Sequence, residues 1–66
     1  MNFLITGATG LIGRRLVPFL ISSGHQIVVL SRRPSVAAQL GDGLRIVGSL
    51  DELPKDTPVD VVVHLA

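Results

Sequence analysis

The 66-residue sequence contains no cysteine, tryptophan or tyrosine, and only one lysine. Without cysteine, the chain cannot form a disulfide framework or a thiolate metal site. Its two histidines, His25 and His64, are too few for a zinc site of their own, so no metal-binding residues are predicted. His64 lies late in an apolar run, a position more typical of a histidine in the core or at a ligand's edge than of a catalytic one.

Charged residues are also scarce, at 17% of the chain, whereas 47% is hydrophobic, which is too apolar for a disordered segment. A chain of this length buries only about 60% of the surface that its unfolded form exposes, so one small core is its upper limit. The apolar run at the N-terminus stops at Gly7, far short of a signal peptide or of the roughly 20 residues that span a membrane. We therefore expect a cytoplasmic protein with no membrane partner.

The charges that are present are divided unevenly along the chain. Residues 1–33 contain four arginines and no acid, whereas residues 34–66 contain two basic and five acidic residues. A basic N-terminal half favours an anionic partner, either nucleic acid or a phosphorylated small molecule. Because two phenylalanines are the only aromatic residues that could stack on bases, nucleic acid is not expected.

Short apolar runs predict four strands. They are rich in β-branched residues and show no alternation with polar ones, which is typical of strands buried on both faces of a parallel sheet. The predicted strands are residues 3–6, 26–30, 44–47 and 59–66.

Between the first two strands, apolar residues at spacings of three and four predict an amphipathic helix that begins at Leu11 and ends before Gly24. Pro18 should kink this helix but falls on its outer side, where the freed carbonyl can reach water. A weaker short helix is predicted over residues 35–40, and residues 51–54 are predicted to form a loop or a single turn. The helix face expected to contact the core consists of Ile12, Leu16, Phe19 and Leu20.

A strand, a helix and a second strand of these lengths form a right-handed parallel βαβ unit. The predicted class is therefore α/β, the N-terminal part of a Rossmann-type doubly wound parallel sheet. The fourth predicted strand runs to the last residue, Ala66, so we expect residues 1–66 to be part of a longer domain, truncated at the end of that strand.

A glycine-rich segment separates the first strand from the first helix, which is the context required of a dinucleotide-binding turn. Gly7 allows a sharp turn, Gly10 allows the backbone to approach a pyrophosphate, and Gly13 allows the helix to pack close to the sheet. The helix N-terminus then offers free N–H groups to phosphate. A glycine turn without a ligand is the alternative. The candidate binding residues of this segment are Gly7, Thr9, Gly10, Leu11, Ile12 and Gly13.

The end of the second strand predicts which dinucleotide binds. An NAD site places an acid about 20 residues beyond the glycines to bind the ribose 2′-hydroxyl, whereas a 2′-phosphate requires a cation. This sequence has Ser31, Arg32 and Arg33 there, and no acid. A guanidinium binds phosphate through two parallel hydrogen bonds, so Ser31 and Arg32 favour NADP over NAD. The alternative is that the arginines are solvated loop residues.

The motif as a whole resembles the extended short-chain dehydrogenase/reductase superfamily of NAD(P)-dependent epimerases and dehydratases. The resemblance covers the entire chain. It rests on Thr6-Gly7-Ala8-Thr9-Gly10-Leu11-Ile12-Gly13 and on residues 24–32 and 60–66. Ser31-Arg32 and the closing His64-Leu65-Ala66 are similar in particular to the sugar-nucleotide-epimerase-like subgroup.

The resemblance implies that Leu65 and Ala66, at the end of the fourth strand, contact the cofactor. It also implies catalysis by a Tyr-x-x-x-Lys pair, which this chain lacks, so no catalytic residue is assigned and a small-molecule substrate would bind residues beyond it. The expected function is the NADP-binding portion of an oxidoreductase or nucleotide-sugar epimerase-like protein. The alternative is a non-catalytic protein that senses NADP or regulates a partner.

Overall fold

A computed structural model describes residues 1–65. Three of its strands agree with the predicted runs to within a residue, and the fourth is shorter than the predicted 59–66. The short helix predicted over 35–40 forms as one α-helical turn followed by a 3₁₀ turn, Ala38–Leu40, and a second 3₁₀ turn covers Leu50–Glu52. The elements are β1 (Asn2–Thr6), α1 (Leu11–Ser22), β2 (Gln26–Leu30), α2 (Pro34–Ala37), β3 (Arg45–Val47) and β4 (Val61–His64).

The four strands form one parallel sheet in the order β3-β2-β1-β4. In the register of this sheet, Ile5 of β1 lies opposite Val29 of β2 and Val63 of β4. The chain thus starts in the centre of the sheet, extends to one edge and then crosses to the other. This topology confirms the predicted α/β class and its Rossmann-type arrangement.

The core lies between the sheet and the helices. Ile5, Val17 and Val29 are its largest fully buried side chains, and they belong to β1, α1 and β2. Leu4 and Val47 are also buried but lie outside this cluster, because alternate residues of a strand face opposite sides of the sheet. Both faces of the sheet therefore bury apolar side chains.

The face that α1 turns to the sheet differs from the predicted one. The buried residues of the helix are Gly13, Val17 and Leu20, whereas Ile12 is 66% exposed and Phe19 is 65% exposed. The prediction was right for Leu20 but wrong for Ile12 and Phe19. Apolar residues occur on more than one side of α1, so the 3.6-residue period fits two stripes. Packing against the sheet selects the stripe that contains a glycine.

Pro18 lies inside α1, and the helix continues past it to Ser22. The proline is exposed, as predicted, and the Ser22 hydroxyl donates a hydrogen bond to the Pro18 carbonyl at 2.9 Å. After the helix, Gly24 adopts a left-handed conformation with φ +88° and donates its N–H to the Ile21 carbonyl. This glycine ends the helix and turns the chain toward β2.

The buried stripe of α1 leads to a stability prediction. Replacing the fully buried Val17 with alanine (Val17→Ala) removes two carbon atoms from the core and should lower the free energy of unfolding by about 2 kcal/mol. Phe19→Ala removes a larger side chain that is mostly exposed, so it should cost less than about 1 kcal/mol. Urea unfolding followed by circular dichroism measures both. A larger loss from Phe19→Ala would contradict the observed helix face.

Candidate functional site

The carboxyl ends of β1 and β4 lie side by side, and the turn from β1 into α1 begins there. At this edge a cleft of about 360 Å³ is lined by residues of the turn, of the first helical turn and of the segment after β4. The structure thus brings together six of the residues proposed from the sequence, namely Gly7, Gly10, Leu11, Ile12, Gly13 and Leu65. Ala66, another proposed contact, lies outside the described residues.

Two of the three glycines in the turn are required by the fold itself. Gly7 has φ +70°, and a Cβ atom there would overlap the Leu65 carbonyl oxygen. Gly13 lies so close to the preceding turn that a Cβ would overlap the Ala8 backbone. A side chain at either position would therefore force the backbone to shift, because backbone rather than a flexible group occupies the space.

Gly10 differs from both. Its backbone is extended, with φ −75° and ψ −178°, a conformation that any residue adopts. The nearest atom to a Cβ placed there would be the Gly7 carbonyl oxygen at 3.5 Å, an ordinary van der Waals distance. Neither the conformation nor the packing of residues 1–65 accounts for a glycine at this position.

The N-terminus of α1 lies in the same cleft. Gly10 is the N-cap residue, no side chain caps the helix, and its first turn contains no acidic residue. The first helical N–H groups have no carbonyl partner within a helix, and the peptide dipoles give this end a partial positive charge. The site therefore presents donors and positive potential without a carboxylate of its own to satisfy them.

Thr9, another candidate binding residue of this segment, does not line the glycine cleft but a different one. Its neighbours there are Arg14, Pro18 and the segment around Leu40, on the other side of α1. The Thr9 carbonyl accepts a hydrogen bond from the Arg14 Nε at 3.2 Å, so the Arg14 side chain links the first turn of α1 to the glycine-rich turn.

A second cleft, of about 580 Å³, lies at the same edge of the sheet and includes Ser31 and Arg32. The Ser31 N–H donates to the Val47 carbonyl at 2.9 Å, and the Ser31 hydroxyl oxygen accepts the Arg33 N–H at 3.0 Å. The hydroxyl hydrogen of Ser31 is not used in that bond and can be donated to a ligand. Arg32 is exposed beside it.

The far wall of this second cleft is the segment after β3. The Glu52 carboxylate accepts the N–H groups of Gly48 and Ser49, at 2.5 and 2.7 Å, and so closes a capping box around the 3₁₀ turn. The sequence predicted a loop or single turn here, and the structure adds that Glu52 holds the turn together. Asp51 lines the cleft, so one acid shares the space with Arg32.

Thr6 and His64 also line the second cleft, although neither is among the candidate site residues predicted from the sequence. The Thr6 Oγ1 and the His64 Nδ1 are 2.5 Å apart, a hydrogen bond that links β1 to β4 across the sheet. A signal was present, because these residues immediately precede Gly7 and Leu65. The pairing of residue 6 with residue 64 nonetheless depends on a strand order that the sequence alone did not establish.

Between residues 1 and 65, no group of three or more histidine or acidic side chains is placed to hold a metal ion. In the same part of the chain, no helix is long and apolar enough to cross a membrane.

Comparison with known proteins identifies the family. The sequence profile of the NAD dependent epimerase/dehydratase family matches residues 3–66. The chain belongs to this family. The resemblance deduced from the glycine motif is thereby confirmed, and the family's cofactor is a nicotinamide dinucleotide.

Individual proteins are also similar to this chain. Protein Rcp of Vibrio cholerae is 36% identical over 70 residues, which cover 98% of this chain and 33% of Rcp. A chloroplastic epimerase family protein of Arabidopsis thaliana is 52% identical over 40 residues, 61% of this chain and 12% of its own length. A crystal structure of a Lactobacillus casei protein, 26% identical, superimposes with a TM-score of 0.77 over 100% of this chain and 32% of its own. The chain thus spans about a third or less of these proteins.

The crowded glycines lead to a second prediction. Gly13→Ala places a methyl group against the Ala8 backbone and should lower the free energy of unfolding by about 1–3 kcal/mol, the usual cost of overpacking. Gly10→Ala places the same group at an ordinary van der Waals distance from the Gly7 carbonyl oxygen and should change the free energy of unfolding by less than about 1 kcal/mol. Thermal and urea unfolding of the two variants provide the measurement. Equal losses would show that the glycine turn is packed differently.

Proposed function

We propose that residues 1–66 form the N-terminal part of an NADP-binding domain in an extended short-chain-type oxidoreductase or nucleotide-sugar epimerase-like protein. The family assignment supports a nicotinamide dinucleotide as cofactor. The matched relatives, of which this chain spans about a third or less, support a longer polypeptide that supplies the remaining residues.

The observation that carries the proposal is the environment of Gly10. The fold accounts for glycine at positions 7 and 13 but leaves position 10 unexplained, and position 10 lies in the cleft beside the uncapped N-terminus of α1. A pyrophosphate needs a close approach to the backbone at that point, together with free N–H donors. A ligand explains the glycine where the protein's own packing does not.

The preference for NADP rests on the second cleft. A 2′-phosphate there would meet the Arg32 guanidinium and the free hydroxyl hydrogen of Ser31, both directly after β2. Hydrogen bonds between charged groups are about twice as strong as neutral ones, and guanidinium matches phosphate in geometry. The Asp51 carboxylate lines the same cleft and would repel a phosphate, so the attraction between Arg32 and the phosphate has to exceed this repulsion.

When bound, the dinucleotide supplies hydride transfer at its nicotinamide ring. This chain contributes binding and orientation: donors for the pyrophosphate at α1, and a cation with a hydroxyl for the 2′-phosphate after β2. It contains no tyrosine and a single lysine, Lys55, so acid–base residues would come from elsewhere in the polypeptide. A full-length protein that binds NADPH but lacks a Tyr-x-x-x-Lys pair would instead favour the non-catalytic sensor.

The pyrophosphate assignment is tested with Gly10→Val. The bulkier side chain should obstruct the ligand and weaken NADPH binding at least tenfold in the full-length protein, while the melting temperature changes little. Isothermal titration and thermal melts are run side by side. Ala38→Val is the control, because it adds bulk at an exposed position that lines neither cleft. Unchanged NADPH affinity in folded Gly10→Val would refute the assignment.

Cofactor choice is tested with Arg32→Ala. Because hydrogen bonds to charged groups contribute roughly 1.5–3 kcal/mol, NADPH affinity should fall about ten- to a hundredfold, and NADH affinity should change little. Ser31→Asp should improve NADH binding by offering an acceptor to the 2′-hydroxyl. Both nucleotides are titrated at fixed salt, with Arg33→Ala as the neighbouring control. Equal losses for NADPH and NADH, or a wild type that prefers NADH, would rule out the 2′-phosphate role.

A further inference from the structure

We propose that the hydrogen bond between Thr6 and His64 positions the end of β4 against the glycine turn and thereby sets the geometry of the phosphate-binding cleft. This inference rests on the proposed dinucleotide function. Thr6 and His64 act here as positioning residues, through the backbone that follows each of them.

The bond lies at the last paired position of two strands. Thr6 and His64 are opposite each other in the parallel register of β1 and β4, and their side chains meet at 2.5 Å. The ladder continues one step further, because the Leu65 N–H donates to the Thr6 carbonyl at 2.9 Å. Thr6 therefore holds both the side chain of His64 and the backbone of Leu65.

The position of Leu65 matters because it forms a wall of the glycine cleft. Its carbonyl occupies the space that a Cβ of Gly7 would need, and Leu65 lines the cleft together with Gly10 and Ile12. A shift of the β4 end would change the width of this cleft directly.

A second set of side-chain hydrogen bonds joins the opposite ends of the same two strands. We call this set the Asn2–Asp60 clamp, and the Thr6–His64 hydrogen bond the Thr6–His64 clamp. Asp60 accepts hydrogen bonds from the backbone N–H and the side-chain amide of Asn2, at 2.7 and 3.2 Å. These bonds lower the pKa of the Asp60 carboxyl. This clamp joins β1 to the start of β4 but lies at the edge away from the glycine cleft, so it is a matched control for a purely structural role.

The experiment compares the two clamps in the full-length protein. Thr6→Val removes the hydroxyl with little change of shape, and we expect it to raise the Kd for NADPH about three- to tenfold, the effect of one lost hydrogen bond. Thr6→Ser keeps the hydroxyl and should restore most of the affinity. His64→Leu should match Thr6→Val, whereas His64→Asn, whose amide can still pair with Thr6, should bind more tightly than His64→Leu. Asp60→Ala should lower the melting temperature without changing the Kd.

Amide hydrogen exchange of the same variants, without nucleotide, is the second readout. Thr6→Val should accelerate exchange at Leu65, whereas Asp60→Ala should not. If wild type does not bind NADPH at all, the proposed function fails, and the exchange data still decide whether the Thr6–His64 clamp holds Leu65. If wild type binds but Thr6→Val and Asp60→Ala change the Kd equally, or if Leu65 exchange is unaffected by Thr6→Val, the positioning role is overturned.

Discussion

Backbone-to-backbone contact at the turn between β1 and α1 is the constraint on which the remaining structure depends. The Leu65 carbonyl lies where a side chain of residue 7 would be, and the Ala8 backbone lies where a side chain of residue 13 would be. Because glycine has only a hydrogen atom in place of a side chain, the end of β4 can pack against the turn at Gly7, and α1 can pack against it at Gly13. The buried stripe of α1, the position of its N-terminus and the wall of the cleft follow from these two contacts.

The three glycines of the same turn differ in whether the fold explains them. Gly7 and Gly13 are explained by contacts within the chain, whereas Gly10 has space around it and an ordinary extended backbone. Both clefts lie at the edge formed by the carboxyl ends of the strands. The uncapped N-terminus of α1 and the Arg32 side chain, which lie there, both favour an anion. The unexplained Gly10 and the uncapped helix N-terminus are the two features that support the proposed pyrophosphate site.

The described residues also expose apolar surface. Leu11, Ile12 and Phe19 on α1, and Val62 on β4, are each more than 60% exposed. An edge strand with free backbone groups and an exposed valine is a site where further strands or other chains can pair. These surfaces support the proposal that residues 1–66 are one portion of a larger domain, in which the sheet continues beyond β4.

Local patterns in the sequence were sufficient for the bounds of the first three strands, for the length of α1 and for the glycine turn between β1 and α1, because each depends on neighbours within a few residues. The helix face was only partly predictable, since two apolar stripes satisfied the same period and the contact between Gly13 and Ala8 chose between them. The pairing of Thr6 with His64, 58 residues apart, and the place of Leu65 against Gly7 came only from the tertiary structure. Strand order and register decide such contacts, and they result from packing of the whole sheet rather than from any short segment.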